Sequence, residues 1–493
     1  MDGLINSAIR PCETQLLLFT TSILFAYITT LSTAQVLQRG FKATPNPKVS
    51  TFQPLLNDST GNFSLAFLRV NKTQLALAVL HVPSSEPLWL ANPTELASWS
   101  DHTQLFFNGS LVISDPHSRV FWSTRTNGDL VTLLNSSNLQ IQKKLDQAAS
   151  SVLWQSFDFP TDTLVENQNF TASQSLISQN GLYSMRLGSN FIGLYANFQE
   201  KYDDQIYWKH RALEAKAEIV EGQGPIYVRV NSDGYLGMYQ KGSIPVDVEP
   251  FNSFQRPIDG FLRLRLEPDG DLKGYYWEGS SWILNYQAIS DPCELPSPCG
   301  PYGLCMPGSG CSCLDNRTEF RSDVECAPVE TGDFCGEKVM KDNFKVLTRS
   351  GVELPYKELM QYETASSLEQ CQGLCDNNCS CWGAVYNNAS RFCYLLDYPI
   401  QTLVAVGDES KVGYFKVREG AGKRRKRNVG VAVVYAVVGG VIAVFIGLIG
   451  FWTYRTWIRR KRTREEEGEF SPGPYKNLGS ASFKSIEMSS SSR

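Results

Sequence analysis

Thirteen cysteines are distributed very unevenly over the 493 residues: apart from Cys12, all of them lie between Cys293 and Cys393. An even, clustered set of twelve reads as a disulfide framework formed in an oxidising compartment. Zinc is the alternative owner of such clusters, but none of the four histidines (His81, His102, His117 and His210) lies inside it. The C-terminal third of the chain is therefore expected to be held by cross-links rather than by a large apolar core.

Two apolar segments agree with that compartment. Residues 16–31 follow a single early base, Arg10, and lead to Ser32-Thr33-Ala34, so residues 1–34 read as a signal peptide cleaved before Gln35. Residues 429–452 carry no charge; at ~1.5 Å per residue they are long enough to cross a ~30 Å hydrocarbon layer as a transmembrane helix. Trp452, Tyr454 and Trp457 then fall where aromatic belts form. Five bases at residues 423–427 precede the span and six follow it, a weak asymmetry. Orientation therefore rests on the signal peptide and the one-sided cysteines: a single-pass type I protein of the plasma membrane with its N-terminus outside. Residues 453–493 form a short cytoplasmic tail, Ser-rich with Pro472 and Pro474, which reads as disordered and holds none of the loops of a kinase. The run Arg424-Arg425-Lys426-Arg427 also has the form of a processing site, where cutting would shed the ectodomain.

Charge follows the same division. With eleven bases and no acid between Lys423 and Arg464, and three bases and five acids after it, residues 1–422 keep 32 bases against 45 acids. An acidic body of this kind offers no phosphate-neutralising patch, which excludes nucleic acid as a partner. Nine Asn-x-Ser/Thr sequons, at Asn57, Asn62, Asn71, Asn108, Asn135, Asn169, Asn316, Asn378 and Asn388, all precede the apolar span and mark candidate N-glycosylation sites. No nucleophile elbow, zinc-protease helix or phosphate loop is present, so no enzyme, cofactor or metal site is expected.

The body before the cysteines reads as mostly β. Short apolar runs at 63–67, 75–82, 88–90, 105–113 and 120–122 are separated by Pro, Gly, Asn and Asp. Residues 261–266 alternate cleanly (Phe261-Leu262-Arg263-Leu264-Arg265-Leu266), which predicts one buried and one wet face. Later, Ser366-Ser367-Leu368-Glu369 has the form of a capping box opening a helix. Cys371 and Cys375, four apart, then share one helix face.

Residues 154–164, Trp154-Gln155-Ser156-Phe157-Asp158-Phe159-Pro160-Thr161-Asp162-Thr163-Leu164, resemble the signature of the bulb-type (G-type) lectin region of plant S-domain receptors and S-locus glycoproteins. Leu88-Trp89-Leu90-Ala91-Asn92, Asn108-Gly109-Ser110-Leu111-Val112 and Phe121-Trp122-Ser123-Thr124 resemble further landmarks of that family in the right order. The match continues through Cys299-Gly300-Pro301-Tyr302-Gly303-Leu304-Cys305 and the cysteines at 371–393, and is closest to PAN domain-containing S-locus-glycoprotein-like proteins without a kinase. The resemblance implies tandem β-prisms: a bulb-type lectin domain at 35–165 and a second lectin-like, S-locus glycoprotein region at 166–290. An EGF-like module at 291–326 and a PAN/apple domain at 335–418 follow. It also implies the pairs Cys293–Cys305, Cys299–Cys311, Cys313–Cys326, Cys371–Cys393 and Cys375–Cys381, which leaves Cys335 to meet Cys379. The residues alone leave all fifteen pairings of the first six cysteines open.

Lectin activity is the first thing the resemblance implies, and the pocket residues argue against it. Family mannose pockets follow Gln-x-Asp-x-Asn-x-Val-x-Tyr. Here the three corresponding sets are Phe106, Asn108, Ser110, Val112, Ser114; Leu134, Ser136, Asn138, Gln140, Gln142; and Leu187, Ser189, Phe191, Gly193, Tyr195. Only Val112, Asn138 and Tyr195 match, and Asn108 is itself a sequon. The function expected is therefore protein–protein recognition at the cell surface. The PAN and EGF-like modules would contact a partner receptor kinase or a second copy of the chain. A carbohydrate- or wall-binding lectin with degenerate pockets, or a shed decoy ectodomain, is the alternative.

Overall fold

The computed structural model describes residues 36–117, 119–145, 150–197, 204–212, 226–240, 242–251, 260–315, 326, 335, 344–396, 403–418 and 447–458. The signal segment, Asn316, and most of the apolar span and tail lie outside the described residues. The chain divides into one unit over residues 1–420 and a second over 421–493. In the second, residues 447–458 are helical; no described helix is long and apolar enough to cross a membrane.

Three short strands open the first unit: β1 (Val36–Gln38), β2 (Lys42–Ala43) and β3 (Phe52–Asn57). Three antiparallel meanders then claim them in reverse order. β4 (Phe63–Arg69), β5 (Gln74–His81) and β6 (Glu86–Leu90) take β3, with β7 (Ala97–Ser98) on the edge of β5. β8 (Gln104–Phe107), β9 (Leu111–Ser114) and β10 (Val120–Ser123) take β2. β11 (Leu130–Leu133), β12 (Leu139–Lys144) and β13 (Ser150–Gln155) take β1. The apolar run at 105–113 is thus a hairpin, broken where Gly109 takes φ +116°, a conformation L side chains rarely adopt. The three sheets share one core, to which Leu65, Leu77, Phe107, Leu111, Leu139 and Trp154 all contribute.

The next stretch repeats this plan strand for strand. β14 (Thr163–Val165), β15 (Asn169–Phe170) and β16 (Leu176–Ile177) come first. β17 (Tyr183–Leu187), β18 (Phe191–Ala196) and β19 (Gln205–Arg211) take β16. β20 (Tyr227–Asn231), β21 (Tyr235–Tyr239) and β22 (Asp247–Pro250) take β15. β23 (Leu262–Leu266), β24 (Leu272–Trp277) and β25 (Trp282–Gln287) take β14. A second core joins Phe170, Met185, Leu194, Val228, Met238 and Leu264. Thr163, which the sequence places at the end of the first lectin domain, pairs with Arg265 and so belongs to the second prism.

The alternation at 261–266 holds on one side only. Leu262, Leu264 and Leu266 are buried, but so is Arg263, at 4% exposure. The face expected to be wet is covered: the Arg263 guanidinium lies 3.9 Å over the Trp282 ring and pairs with Glu86 of the first prism at 2.6 Å. His81, Phe63, Phe261, Trp277 and Trp282 pack ring against ring around this pair. A charged face can be buried where another sheet supplies its counter-ion.

The cysteine-rich part forms one body rather than two beads. Six disulfides are made: Cys293–Cys305, Cys299–Cys311, Cys313–Cys326, Cys335–Cys379, Cys371–Cys393 and Cys375–Cys381. A hairpin of β26 (Gly303–Met306) and β27 (Gly310–Cys313) carries the first set. Gly303 is required there, since a Cβ would stand 2.3 Å from the Cys299 carbonyl oxygen. The second set lies in the part built of β28 (Phe344–Ser350), β29 (Val352–Glu353), β30 (Glu363–Thr364), helix α1 (Leu368–Asp376), β31 (Gly383–Asn387), β32 (Phe392–Leu396), β33 (Val404–Ala405) and β34 (Lys411–Arg418), where it ties α1 to β32 and to the segment that follows the helix. β26 pairs with β33, and Tyr302, Leu304 and Leu314 share a core with Trp382, Leu396 and Phe415. The helix begins one residue later than the capping box suggests. Ser367 is the N-cap and accepts from the Gln370 amide, while the Gln370 side chain, not Glu369, returns to the Ser366 amide at 2.7 Å.

Candidate functional site: the prism faces and the groove between the prisms

The three sets of sugar-pocket positions differ in what the backbone does with them. A pocket of the family type needs alternate side chains of one strand on one face. In the first set Phe106 lies on β8, Asn108 and Ser110 flank the turn, and only Val112 and Ser114 lie on β9. Asn108 Oδ1 accepts from the Ser110 amide at 3.2 Å, and Ser110 Oγ donates to the Thr126 carbonyl at 2.6 Å. Val112 is buried. The polar groups hold the hairpin closed instead of facing a ligand.

The second set comes closer. Gln140 and Gln142 alternate along β12, and Asn138 enters the same strand. Their amides form a ladder with the neighbouring strand. Ser150 Oγ donates to Gln142 Oε1 (3.0 Å), Gln142 Nε2 to Gln140 Oε1 (2.9 Å), and both Asn138 Nδ2 (2.9 Å) and Gln140 Nε2 (3.3 Å) to Gln155 Oε1. Gln155 Nε2 ends the ladder on Asp158 Oδ1 at 2.9 Å. Leu134 and Ser136 sit in the preceding turn. A sugar hydroxyl would have to displace bonds the amides already make with one another.

In the third set Phe191, Gly193 and Tyr195 do share β18. The Arg186 guanidinium lies 4.0 Å over the Tyr195 ring and the Lys209 ammonium 3.9 Å over Phe191. Tyr195 itself fills the space beside Gly193, 2.8 Å from where a Cβ would stand. Burial raises the Tyr195 hydroxyl above the usual tyrosine range. Capped by cations, these rings are closed to a stacking sugar.

Residues 154–164 form the junction between the prisms. Trp154 stands edge-to-face with Trp89 (5.7 Å) and Trp122 (5.9 Å) in the first core. Ser156 Oγ accepts from the Leu139 amide at 3.0 Å, and Asp162 meets Arg265 of the second prism at 3.1 Å. Phe159 stacks on Trp154 at 5.7 Å yet is 55% exposed, and its carbonyl accepts from Trp89 Nε1 at 2.7 Å. Beside it opens a groove of about 710 Å³ lined by Gln155, Asp158, Phe159, Asn169, Gln174 and Ile177, among others. The pocket positions read from sequence include none of these. The available signal was an aromatic residue directly after the core tryptophan's 3-10 turn at Ser156–Asp158.

All eight described sequon asparagines, Asn57, Asn62, Asn71, Asn108, Asn135, Asn169, Asn378 and Asn388, are exposed. On the PAN body, Tyr362 is exposed and packs on Phe392 at 4.1 Å, beside the edge strand β30. Among the described residues no group of His, Cys, Asp and Glu could hold a metal ion.

Comparison with known proteins finds lectin, S-locus glycoprotein and PAN matches in the same order along the chain. The D-mannose binding lectin family matches residues 87–186, the S-locus glycoprotein domain residues 250–318 and the PAN domain residues 346–416. A PAN domain-containing protein of Arabidopsis thaliana is 58% identical over 456 residues, covering 92% of this chain and 92% of that protein. A G-type lectin S-receptor-like serine/threonine-protein kinase of the same plant is 27% identical over 358 residues, 69% of this chain but 41% of the kinase. The Arabidopsis EP1-like glycoprotein 3 is 26% identical over 402 residues, 75% of this chain and 87% of its own length. With both prisms, the cross-linked C-terminal body and a relative matched along nearly its whole length, the chain belongs to the plant family of PAN domain-containing, S-locus-glycoprotein-like S-domain proteins.

Proposed function

We propose that this chain is a single-pass type I glycoprotein of the plasma membrane that recognises protein partners outside the cell, acting with a partner receptor kinase or a second copy of itself. The observation that carries the reading is the state of the polar groups at the three lectin positions. They are bonded to one another or capped by Arg186 and Lys209, so the prisms serve as a scaffold. The recognition surface is then the EGF-like and PAN body, where Tyr362 and Phe392 present aromatic area beside an open sheet edge; aromatics are the residues that anchor protein interfaces. Kinase-bearing relatives of the same ectodomain type support a kinase as the signalling partner. The uncharged segment at 429–452 is the proposed membrane span, and binding rather than catalysis is the proposed activity.

Two measurements test this. Full-length chain in plant membranes, cross-linked and purified, should carry receptor kinases or second copies attached through residues 344–418; Tyr362→Ala should reduce the yield several-fold. An unchanged pattern in that variant would remove the PAN surface from the reading. A secreted ectodomain on a glycan array should be silent on mannosides. Strong mannoside binding that is lost in Gln140→Ala would instead favour the lectin reading, for which the ladder along β12 is the one supporting observation.

A further inference from the structure

The groove between the prisms contains a sequon within its own wall. Asn169 and Thr171, the first and third residues of Asn169-Phe170-Thr171, both line it, while Phe170 between them is fully buried and fixes which way they face. Arg229 Nε donates to Asn169 Oδ1 at 2.8 Å, which orients the amide and leaves Nδ2 without a described partner. Two apolar surfaces also line the groove, the outer face of Phe159 and Ile177 at 51% exposure, together with the carboxylate of Asp158, whose Oδ1 accepts from Gln155; the Gln174 amide is already engaged by Thr171 and the Phe157 carbonyl. The Phe159 ring is already fixed by Trp154, so its order is in place before anything binds. Apolar area with a few placed acceptors and donors is what a hexose, with its C–H faces and rim of hydroxyls, requires.

We propose that this groove is the seat of the chain's own N-linked glycan, attached at Asn169, whose first sugars lie against Phe159 and Ile177 and hydrogen-bond the Asp158 carboxylate. Attachment takes a lipid-pyrophosphate-linked oligosaccharide as donor. Asn169 Nδ2 bonds to the sugar C1, the C1–O bond to pyrophosphate breaks, the amide gives up one proton and the lipid pyrophosphate leaves. The seated glycan closes the groove to free ligands and bridges the two prisms. The inference rests on the proposed passage through the secretory route, and the other sequons separate the two claims.

The test uses full-length chain from plant cells, treated under native conditions with a peptide N-glycosidase and followed site by site by glycopeptide mass spectrometry. Release from Asn169 should be on the order of tenfold slower than from Asn57 and Asn388, the protection that ~1.4 kcal/mol of contact confers. Phe159→Ala and Ile177→Ser, both surface changes, should each bring it to the rate of the other sites. Equal rates in the unaltered protein, slow release that survives both substitutions, or an empty Asn169 beside occupied Asn57 and Asn388 would each overturn the proposal. Empty sequons throughout would overturn it and the secretory reading together.

Discussion

Arg263 shows what a pattern reading can and cannot reach at the scale of single residues. Alternation fixes which side chains share a face, but whether that face meets water depends on what packs over it, and Glu86 lies 177 positions away in the sequence. Removing Glu86 leaves a buried guanidinium without its counter-charge, so Glu86→Ala should lower stability by about 3 kcal/mol, read as a shifted denaturation midpoint. His81, packed under Trp277 and Trp282, is held neutral, with its pKa lowered to about 4 by burial first and by the Arg263 charge second; Glu86 opposes the shift. The unfolded chain protonates this imidazole near its ordinary value, so the contribution is complete above about pH 6.5 and lost as the pH falls toward 4, a loss of about 3 kcal/mol. His81→Phe should therefore flatten the fall in melting temperature between pH 7.5 and 4.5 relative to the unaltered protein. An equally steep profile would show that other groups drive acid sensitivity.

Among the elements, α1 was the most legible, because its cap and its paired cysteines are local features. The one-residue shift of its start has a local cause too: Ser367, not Ser366, has the extended backbone of an N-cap and accepts from the Gln370 amide, and the Gln370 side chain reaches back one residue further, to the Ser366 amide. Ser367→Ala should cost about 1 kcal/mol, measurable as a lower midpoint with Ser366→Ala nearly silent by comparison. Strand existence was readable from apolar runs, whereas the break inside 105–113 was not, since Asn108-Gly109 is also a sequon and invites a second explanation. The lectin positions were identified by number, but their engagement with Gln155, Ser150, Arg186 and Lys209 depends on strand neighbours that no single segment specifies.

For the whole molecule, the two prisms are joined by a polar and aromatic seam rather than by a tether. The ion pair at Glu86, the Trp89–Phe159 hydrogen bond and the Asp162–Arg265 pair all cross it or brace it. Hydrogen exchange under rising denaturant should find β4–β5 and β23–β24 losing protection at one midpoint; two well-separated midpoints would mean that the seam adds little. The strand order of each prism also has a consequence for how the chain is made. Val36 pairs with Thr132 and Thr163 with Arg265, partners about a hundred residues apart, so contact order is high and closure slow. The first strand to leave the ribosome in each prism is the last to be paired, and the sheet that covers His81 and Glu86 is completed only when β23–β25 arrive. A nascent chain therefore presents Phe63 and its aromatic neighbours to solvent until nearly the whole second prism has been synthesised, a long interval in which holdase chaperones, rather than the fold, must keep it soluble.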